Sequence, residues 1–198
     1  MIISGSSSGA LGGPHHGRYS DVFVAKYNAD GDLLWSGQLG KKPQDEFATA
    51  AATDADGNIR VAGYTFGSFG GPYLGYSDGL VAKLSTAGNV LWRRQPATSE
   101  GEWVTDIATD AHRNIVITGF RAGSLGGVNR GAADTYIIKC APDGDVLWKR
   151  QIGTPKDDWS KAIATDSGGN IVIGGFTAGS LAGPKQGRFD GFIAKFKP

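Results

Sequence analysis

The sequence is poor in the residues that do chemistry. Its single cysteine, Cys140, excludes an internal disulfide framework and any multi-thiolate metal site. Its three histidines, His15, His16 and His112, stand in no Ser-His-Asp or metal-triad spacing. An excess of one charge is missing as well. Lys and Arg total 20 against 19 Asp and Glu, and a net charge of +1 gives no field to draw in nucleic acid or an anionic membrane. No apolar run approaches the ~20 residues of a membrane helix, so no membrane span is expected. The opening Met1-Ile2-Ile3-Ser4-Gly5 lacks the basic, apolar and cleavage regions of a secretory signal. No segment specifies a bound cofactor.

What is abundant is glycine, 32 of 198 residues against a usual ~7%, and it is periodic. Trp35, Trp92 and Trp148 lie 57 and 56 residues apart, and Asp21, Asp78, Asp134 and Asp190 lie 57, 56 and 56 apart. Lys26, Lys83, Lys139 and Lys195 keep that spacing, as do Asp54, Asp110 and Asp166. Four registers agree, so the chain is a repeat array.

Each unit divides into four short strands, a to d. Strand a is expected over Phe47–Asp54, strand b over Asn58–Tyr64, strand c over Asp21–Tyr27 and strand d over Asp32–Gln38, with copies at the repeat spacing. The stretch Ala48-Thr49-Ala50-Ala51-Ala52 has helical propensity. Its copies Val104-Thr105-Asp106-Ile107-Ala108 and Ser160-Lys161-Ala162-Ile163-Ala164 alternate, and the repeat context makes it a strand. Turns such as Asp54-Ala55-Asp56-Gly57 and Asn28-Ala29-Asp30-Gly31 supply the side-chain bonds and positive φ of tight hairpins. Strand c is apolar on both faces, which requires a sheet covered on both sides. Radially stacked blades meet that need. The expected fold is therefore all-β, a β-propeller of four-stranded antiparallel blades, with about 3.5 blades and 14 strands in one array over residues 1–198. The blades fall at about 2–38, 47–95, 103–151 and 159–197. The first lacks strand a and the last strand d, so the chain is expected either to be a piece of a larger ring or to self-associate through unpaired end strands.

The signature Trp-x-Arg-Gln-x-Gly, then Ala-Thr-Asp-x-x-Gly-Asn-Ile-x-Val-x-Gly, then Gly-Ser-Leu-Gly-Gly closely resembles the bacterial β-propeller repeat family of seven-bladed propellers. Asp54, Gly57, Asn58, Gly63 and Thr65 carry it in one copy, and Asp166, Gly169, Asn170, Gly175 and Thr177 in another. The middle copy departs, with Arg113 for glycine and Phe120-Arg121 for Tyr64-Thr65. The resemblance implies a propeller on secreted or surface proteins of bacteria, extracellular or at the cell surface, and implies no settled activity. A weaker resemblance to quinone-cofactor propellers rests on Ala87-Gly88-Asn89-Val90-Leu91-Trp92 alone, and the period and long loops depart from it.

Few residues invite a chemical reading. Cys140 aligns with Tyr27, Leu84 and Phe196 and is expected to pack in the core. The Asp-x-Asp-Gly segments lack the distal bidentate carboxylate of a calcium loop. The recurring Asp21, Asp78, Asp134 and Asp190 are expected to anchor the loops before them through backbone N–H groups. The d-strand tryptophans are expected to carry a lysine stem across them. Asp45-Glu46 and Asp157-Asp158 are paired acids, but the third copy has Gly101-Glu102, so no acid–base constellation repeats and an enzyme is not expected.

Function is expected on the face that carries the long b–c and d–a loops. Gly9, Leu11 and Gly13 match Gly67, Phe69 and Gly71, then Gly123, Leu125 and Gly127, while the tips differ: His15-His16, Tyr73-Leu74, Asn129-Arg130 and Lys185-Gln186. A constant frame with varied tips is how a binding surface is built. It is also how unselected tips look. The expected roles are therefore a module that binds a protein or glycan, or a structural spacer, with the histidines lying exposed in their loop.

Overall fold

The computed structural model describes residues 1–197, with fourteen strands and no helix among them. They form four antiparallel sheets in chain order. The first sheet holds β1 (Ile2–Ser7), β2 (Asp21–Tyr27) and β3 (Leu33–Leu39). The second holds β4 (Glu46–Thr53), β5 (Ile59–Thr65), β6 (Asp78–Leu84) and β7 (Val90–Arg94). The third holds β8 (Glu102–Thr109), β9 (Ile115–Arg121), β10 (Asp134–Cys140) and β11 (Val146–Ile152), and the fourth β12 (Asp158–Thr165), β13 (Ile171–Thr177) and β14 (Asp190–Phe196). This is the propeller-type blade order, a-b-c-d, expected from the repeat. The alanine-rich segment is strand, and it starts one residue early, at Glu46, because Glu46 pairs with Thr65.

The blades adhere through their faces. One apolar cluster joins Val22, Val24 and Leu39 of the first sheet to Ile59, Val61 and Leu80 of the second. The next joins Ala62 and Val81 to Val104, Ile107, Ile115 and Ile138, and the last joins Val116 and Ile137 to Ile163, Ile171 and Ile173. Ile59 and Val61 face one neighbour while Ala62, on the opposite side of β5, faces the other, as the two-unit period of a strand requires. Every strand a carries a bulge at one position, Thr49, Thr105 or Lys161. The freed threonine hydroxyls stitch blades together: Thr49 Oγ1 donates to the Val104 carbonyl at 2.8 Å and Thr105 Oγ1 to that of Ser160 at 3.1 Å.

The a–b turns close on their aspartates. Asp54 Oδ1 accepts the N–H groups of Asp56 at 3.0 Å and Asn58 at 2.9 Å, and Asp110 and Asp166 do the same in their turns. The recurring strand-c lysines answer these carboxylates, Lys139 Nζ lying 3.1 Å from Asp110 and Lys195 Nζ 2.8 Å from Asp166. The same lysines stand directly opposite the strand-d tryptophans, Lys26 paired with Trp35, Lys83 with Trp92 and Lys139 with Trp148, as the expectation of a lysine beside each tryptophan requires. Arg94 lies over Trp92 and Arg150 over Trp148, because β-strand alternation puts residue i+2 on the tryptophan's own face. Arg60 is fully buried between the second and third sheets, 3.1 Å from Asp54 Oδ2, and it donates to the Arg113 carbonyl at 3.0 Å.

Arg113 holds φ at +66°, where Gly57 and Gly169 hold +75°. The left-handed conformation costs a residue with a Cβ roughly 1–2 kcal/mol. The half-exposed pair between Arg113 and Asp56, at 3.0 Å, returns at most about 1 kcal/mol. Arg113→Gly keeps the carbonyl that Arg60 needs, so it is expected to raise stability by on the order of 0.5 kcal/mol. A urea titration checks this, and a lowered midpoint would mean that the surface pair outweighs the backbone strain.

Candidate functional site: the long-loop face

Antiparallel pairing sends the b–c loops (8–20, 66–77, 122–133, 178–189) and d–a loops (40–45, 95–101, 153–157) out of one face. The other face has only the tight turns. The long loops are fastened by one device, repeated in each four-stranded or d-bearing blade. The first residue of strand c, buried Asp78, accepts the N–H of Leu74 at 3.0 Å and of Gly75 at 3.1 Å. Gln95, just past strand d, donates to Asp78 Oδ2 at 2.6 Å and to the Gly67 carbonyl at 3.0 Å, while its Oε1 accepts the Phe69 N–H at 2.7 Å. Gln38 and Asp21 repeat this on Gly9 and Gly12, and Gln151 and Asp134 on Gly123 and Leu125. The anchoring role expected of the aspartates is met. The glutamines were missed, although the Trp-x-Arg-Gln signature contains them. The loop then lies so close on strand d that a Cβ at Gly70 would meet the Arg93–Arg94 backbone at 2.8 Å, which is why glycine recurs there.

The tips are therefore rigid. His16, Leu74, Arg130 and Gln186 are the residues whose backbone N–H groups bind the strand-c aspartates, so their side chains are displayed from fixed points. Tyr73, Leu74, Arg130, Lys185 and Gln186 are exposed. The two histidines are not the free loop residues expected: both are half-buried, and His15 Nδ1 lies 3.9 Å from Asp21. Asn129 is turned inward, its Nδ2 donating to the Ala122 carbonyl at 2.6 Å, so it staples its own loop. A hollow of about 530 Å³ opens between the third and fourth loops, lined by Arg130, Gly153, Thr154, Pro155, Ser180 and Leu181.

Strands a and b add an aromatic strip at this end. Trp103 stacks on Phe120 at 5.4 Å between ring centroids, Phe120 meets Trp159 of the next blade at 5.8 Å, and Trp159 stacks on Phe189 at 5.8 Å. Phe47, Tyr64 and Phe66 form a triad in the second blade. These rings are half-buried, with Phe66 and Phe189 more than 40% exposed. Lys161, the bulged residue of the last strand a, sits over Phe120 and Phe176.

Beneath the strip lie three buried acids, Glu46, Glu102 and Asp158, each opening a strand a. Asp158 accepts from Thr154 N–H and Oγ1, and Glu102 from Thr98 N–H and Oγ1 and from Arg121 at 2.9 Å. Glu46 has neither partner, because Lys42 stands where Thr98 and Thr154 stand, and Thr65 where Arg121 stands. Both of its carboxylate oxygens are buried without a hydrogen bond. Burial first, and then the negative charges of Asp21 and Asp45, push its pKa up to about 7 against the pull of the Lys41 backbone. The sequence signal was the Thr-x-x-x-acid spacing, present twice and broken once. Cys140 is half-buried against the second apolar cluster, and burial pushes its thiol up to about 11, which leaves it inert at neutral pH. Among the described residues, no group of three or more His, Cys, Asp or Glu side chains is placed to hold a metal ion.

No family model matches the chain. Over 85 residues, 35% of this chain and 6% of the relative, it is 36% identical to an uncharacterized WD repeat-containing protein, L264, of Acanthamoeba polyphaga mimivirus. Over 208 aligned positions, 89% of this chain and 22% of the relative, it is 26% identical to the regulatory protein FlaEY of Caulobacter vibrioides. The chain thus spans less than a quarter of the length of either. Among solved structures, a Bacteroides caccae protein of unknown function aligns over 89% of this chain and 57% of its own, with 15% identity and a TM-score of 0.45. A luciferin-regenerating enzyme aligns over 89% and 52%, with 12% identity and a TM-score of 0.41.

Glu46 makes stability depend on pH in a defined direction. Its folded pKa lies above the ordinary 4.5, so the folded state holds the proton more tightly. The resulting stabilisation is complete below about 4.5 and is lost as pH rises through about 7, a span worth up to about 3 kcal/mol. Glu46→Gln should remove this dependence. Urea midpoints at pH 5 and pH 8 should show the wild type losing stability relative to the variant at the higher pH, and parallel midpoints would contradict the assignment.

Proposed function

We propose that the chain is a non-enzymatic interaction module that recognises a protein or a glycan through its long-loop face. The observation that carries this reading is the coincidence, on one face, of rigidly clamped loops with varied tips and a strip of half-buried aromatic rings. Rigid display lowers the entropic cost of binding, and aromatic rings supply large contact area with little rotamer freedom. The candidate contact residues are His15, His16, Tyr73, Leu74, Asn129, Arg130, Lys185 and Gln186, together with Trp159 and Phe189. The absence of a recurring acid–base or nucleophile constellation supports a role by contact, and the WD-repeat and regulatory names of two relatives fit it. The near-neutral charge disfavours nucleic acid as the partner. The signature residues Asp54, Gly57, Asn58 and their copies support membership in the bacterial seven-bladed propeller repeat family, and with it display outside the cell or on its surface. The unpaired ladder of β14, where Asp190 has no strand-d glutamine among the described residues, offers a route to self-association.

A glycan array and a panel of purified surface proteins supply the ligand for the test. Once one binds, replacing Tyr73, Leu74, Arg130, Lys185 and Gln186 by serine should weaken it at least tenfold without shifting the unfolding midpoint. Asp30→Asn and Asp143→Asn, on the tight-turn face, should leave it intact. Binding that survives the tip changes and fails with the turn changes would move the site to the other face. Binding to neither panel would favour the structural-spacer reading.

A further inference from the structure

The three contacts between successive blades are built alike, except the middle one. In the first and third, the residue after the clamp glutamine is Leu39 or Ile152, and its side chain joins the apolar layer between blades. In the middle contact that residue is Pro96. Proline has no N–H to extend the ladder, so β7 stops at Arg94 while β3 and β11 run on through Leu39 and Ile152. A cleft of about 220 Å³ opens there, walled by Val81, Ile115, Ile117, Ile138 and Val146. An apolar cavity of ~150 Å³ accepts benzene, so this one has room for a ring and a short substituent.

Two polar features single out what would fill it. Trp92 lines the cleft, and its Nε1–H is buried with no acceptor. Its counterpart Trp35 donates to the Thr86 carbonyl of the next blade at 3.1 Å. That carbonyl also takes Lys26 Nζ at 3.1 Å, whereas in the middle contact the matching carbonyl, that of Pro142, takes the equivalent Lys83 Nζ at 3.3 Å and, among the described residues, no indole N–H. A buried donor left without a partner costs about 1–3 kcal/mol, which an incoming acceptor recovers. At the mouth, Arg94 is engaged by the Asp143 carbonyl and Asp145, but Lys149 is exposed and enters no ion pair among the described residues.

We propose that this cleft between the second and third blades is a binding site for a small amphipathic carboxylate, with an apolar ring or short chain against Val81, Ile117 and Ile138 and its carboxylate accepting from Trp92 Nε1 within reach of Lys149. The site runs along the flank of the blades from the c–d turn at Gly144 to the d–a loop at Pro96 and Ala97, uses none of the b–c tips or the aromatic strip, and stands or falls independently of binding there. The test is calorimetric titration of the whole chain with sodium phenylacetate, benzyl alcohol and sodium acetate. The indole N–H resonance of Trp92, assigned through Trp92→Phe, is followed in parallel. Phenylacetate should bind and shift that resonance, and acetate should do neither. Pro96→Leu restores the side chain found at the other two contacts, so it should fill the cleft and abolish binding. Lys149→Glu, a surface change that leaves the fold alone, should weaken phenylacetate about fivefold and leave benzyl alcohol unchanged. No binding of phenylacetate to the wild type, or equal binding to Pro96→Leu, would overturn the proposal. Equal binding of phenylacetate to wild type and Lys149→Glu would overturn the assignment of a carboxylate.

Discussion

The structure turns on a carboxylate at the head of each strand c. Asp21, Asp78 and Asp134 are fully buried, and each is reached by backbone N–H groups of its own loop and by the amide of a strand-d glutamine. Hydrogen bonds to a charged group contribute about 1.5–3 kcal/mol each, and a buried carboxylate left without them is costly. The aspartate therefore converts a glycine-rich loop of twelve or thirteen residues, which would otherwise be mobile, into a fixed part of the blade. The interaction face depends on that conversion: the tips are displayed from the peptide groups the aspartates hold, and the aromatic strip is framed by the same loops.

Where the repeat departs from itself, the departures come in compensating sets. Arg113 takes a glycine's conformation, and its carbonyl receives Arg60, which replaces the valine of the later copies. Arg121 replaces a threonine and neutralises buried Glu102. Two departures are uncompensated. Glu46 is a buried acid with no ion-pair partner among the described residues, and Pro96 leaves a cleft with an orphaned indole N–H. A scaffold that repairs most of its irregularities makes the unrepaired ones the places to look for binding and for response to pH.

The fold was legible because periodicity acts on every level at once. The spacing of Trp35, Trp92 and Trp148 set the blade count, and the alternation along strand c, as in Val22, Val24 and Ala25, already required a sheet covered on both sides. The anchoring role of Asp78 followed from its place after a long loop. The role of Gln95 did not, because its partners are Gly67, Phe69 and Asp78, up to 28 residues away, and nothing local in the sequence announces such contacts. The half-buried state of His15 and the inward turn of Asn129 escaped for the same reason: a loop tip reads as polar and exposed until its backbone bonds are known. The arginines over the d-strand tryptophans were within reach, since residues two apart share a face of a strand.

The strand-c carboxylate, through the strand-d glutamine, holds the long-loop face in place. Hydrogen exchange by mass spectrometry on Asp78→Ala tests it most directly. Peptides covering residues 66–77 should lose their amide protection while the ladders of β5, β6 and β8 keep theirs, and Gln95→Ala should give a weaker version of the same pattern. Unchanged protection of residues 66–77 in Asp78→Ala would contradict it.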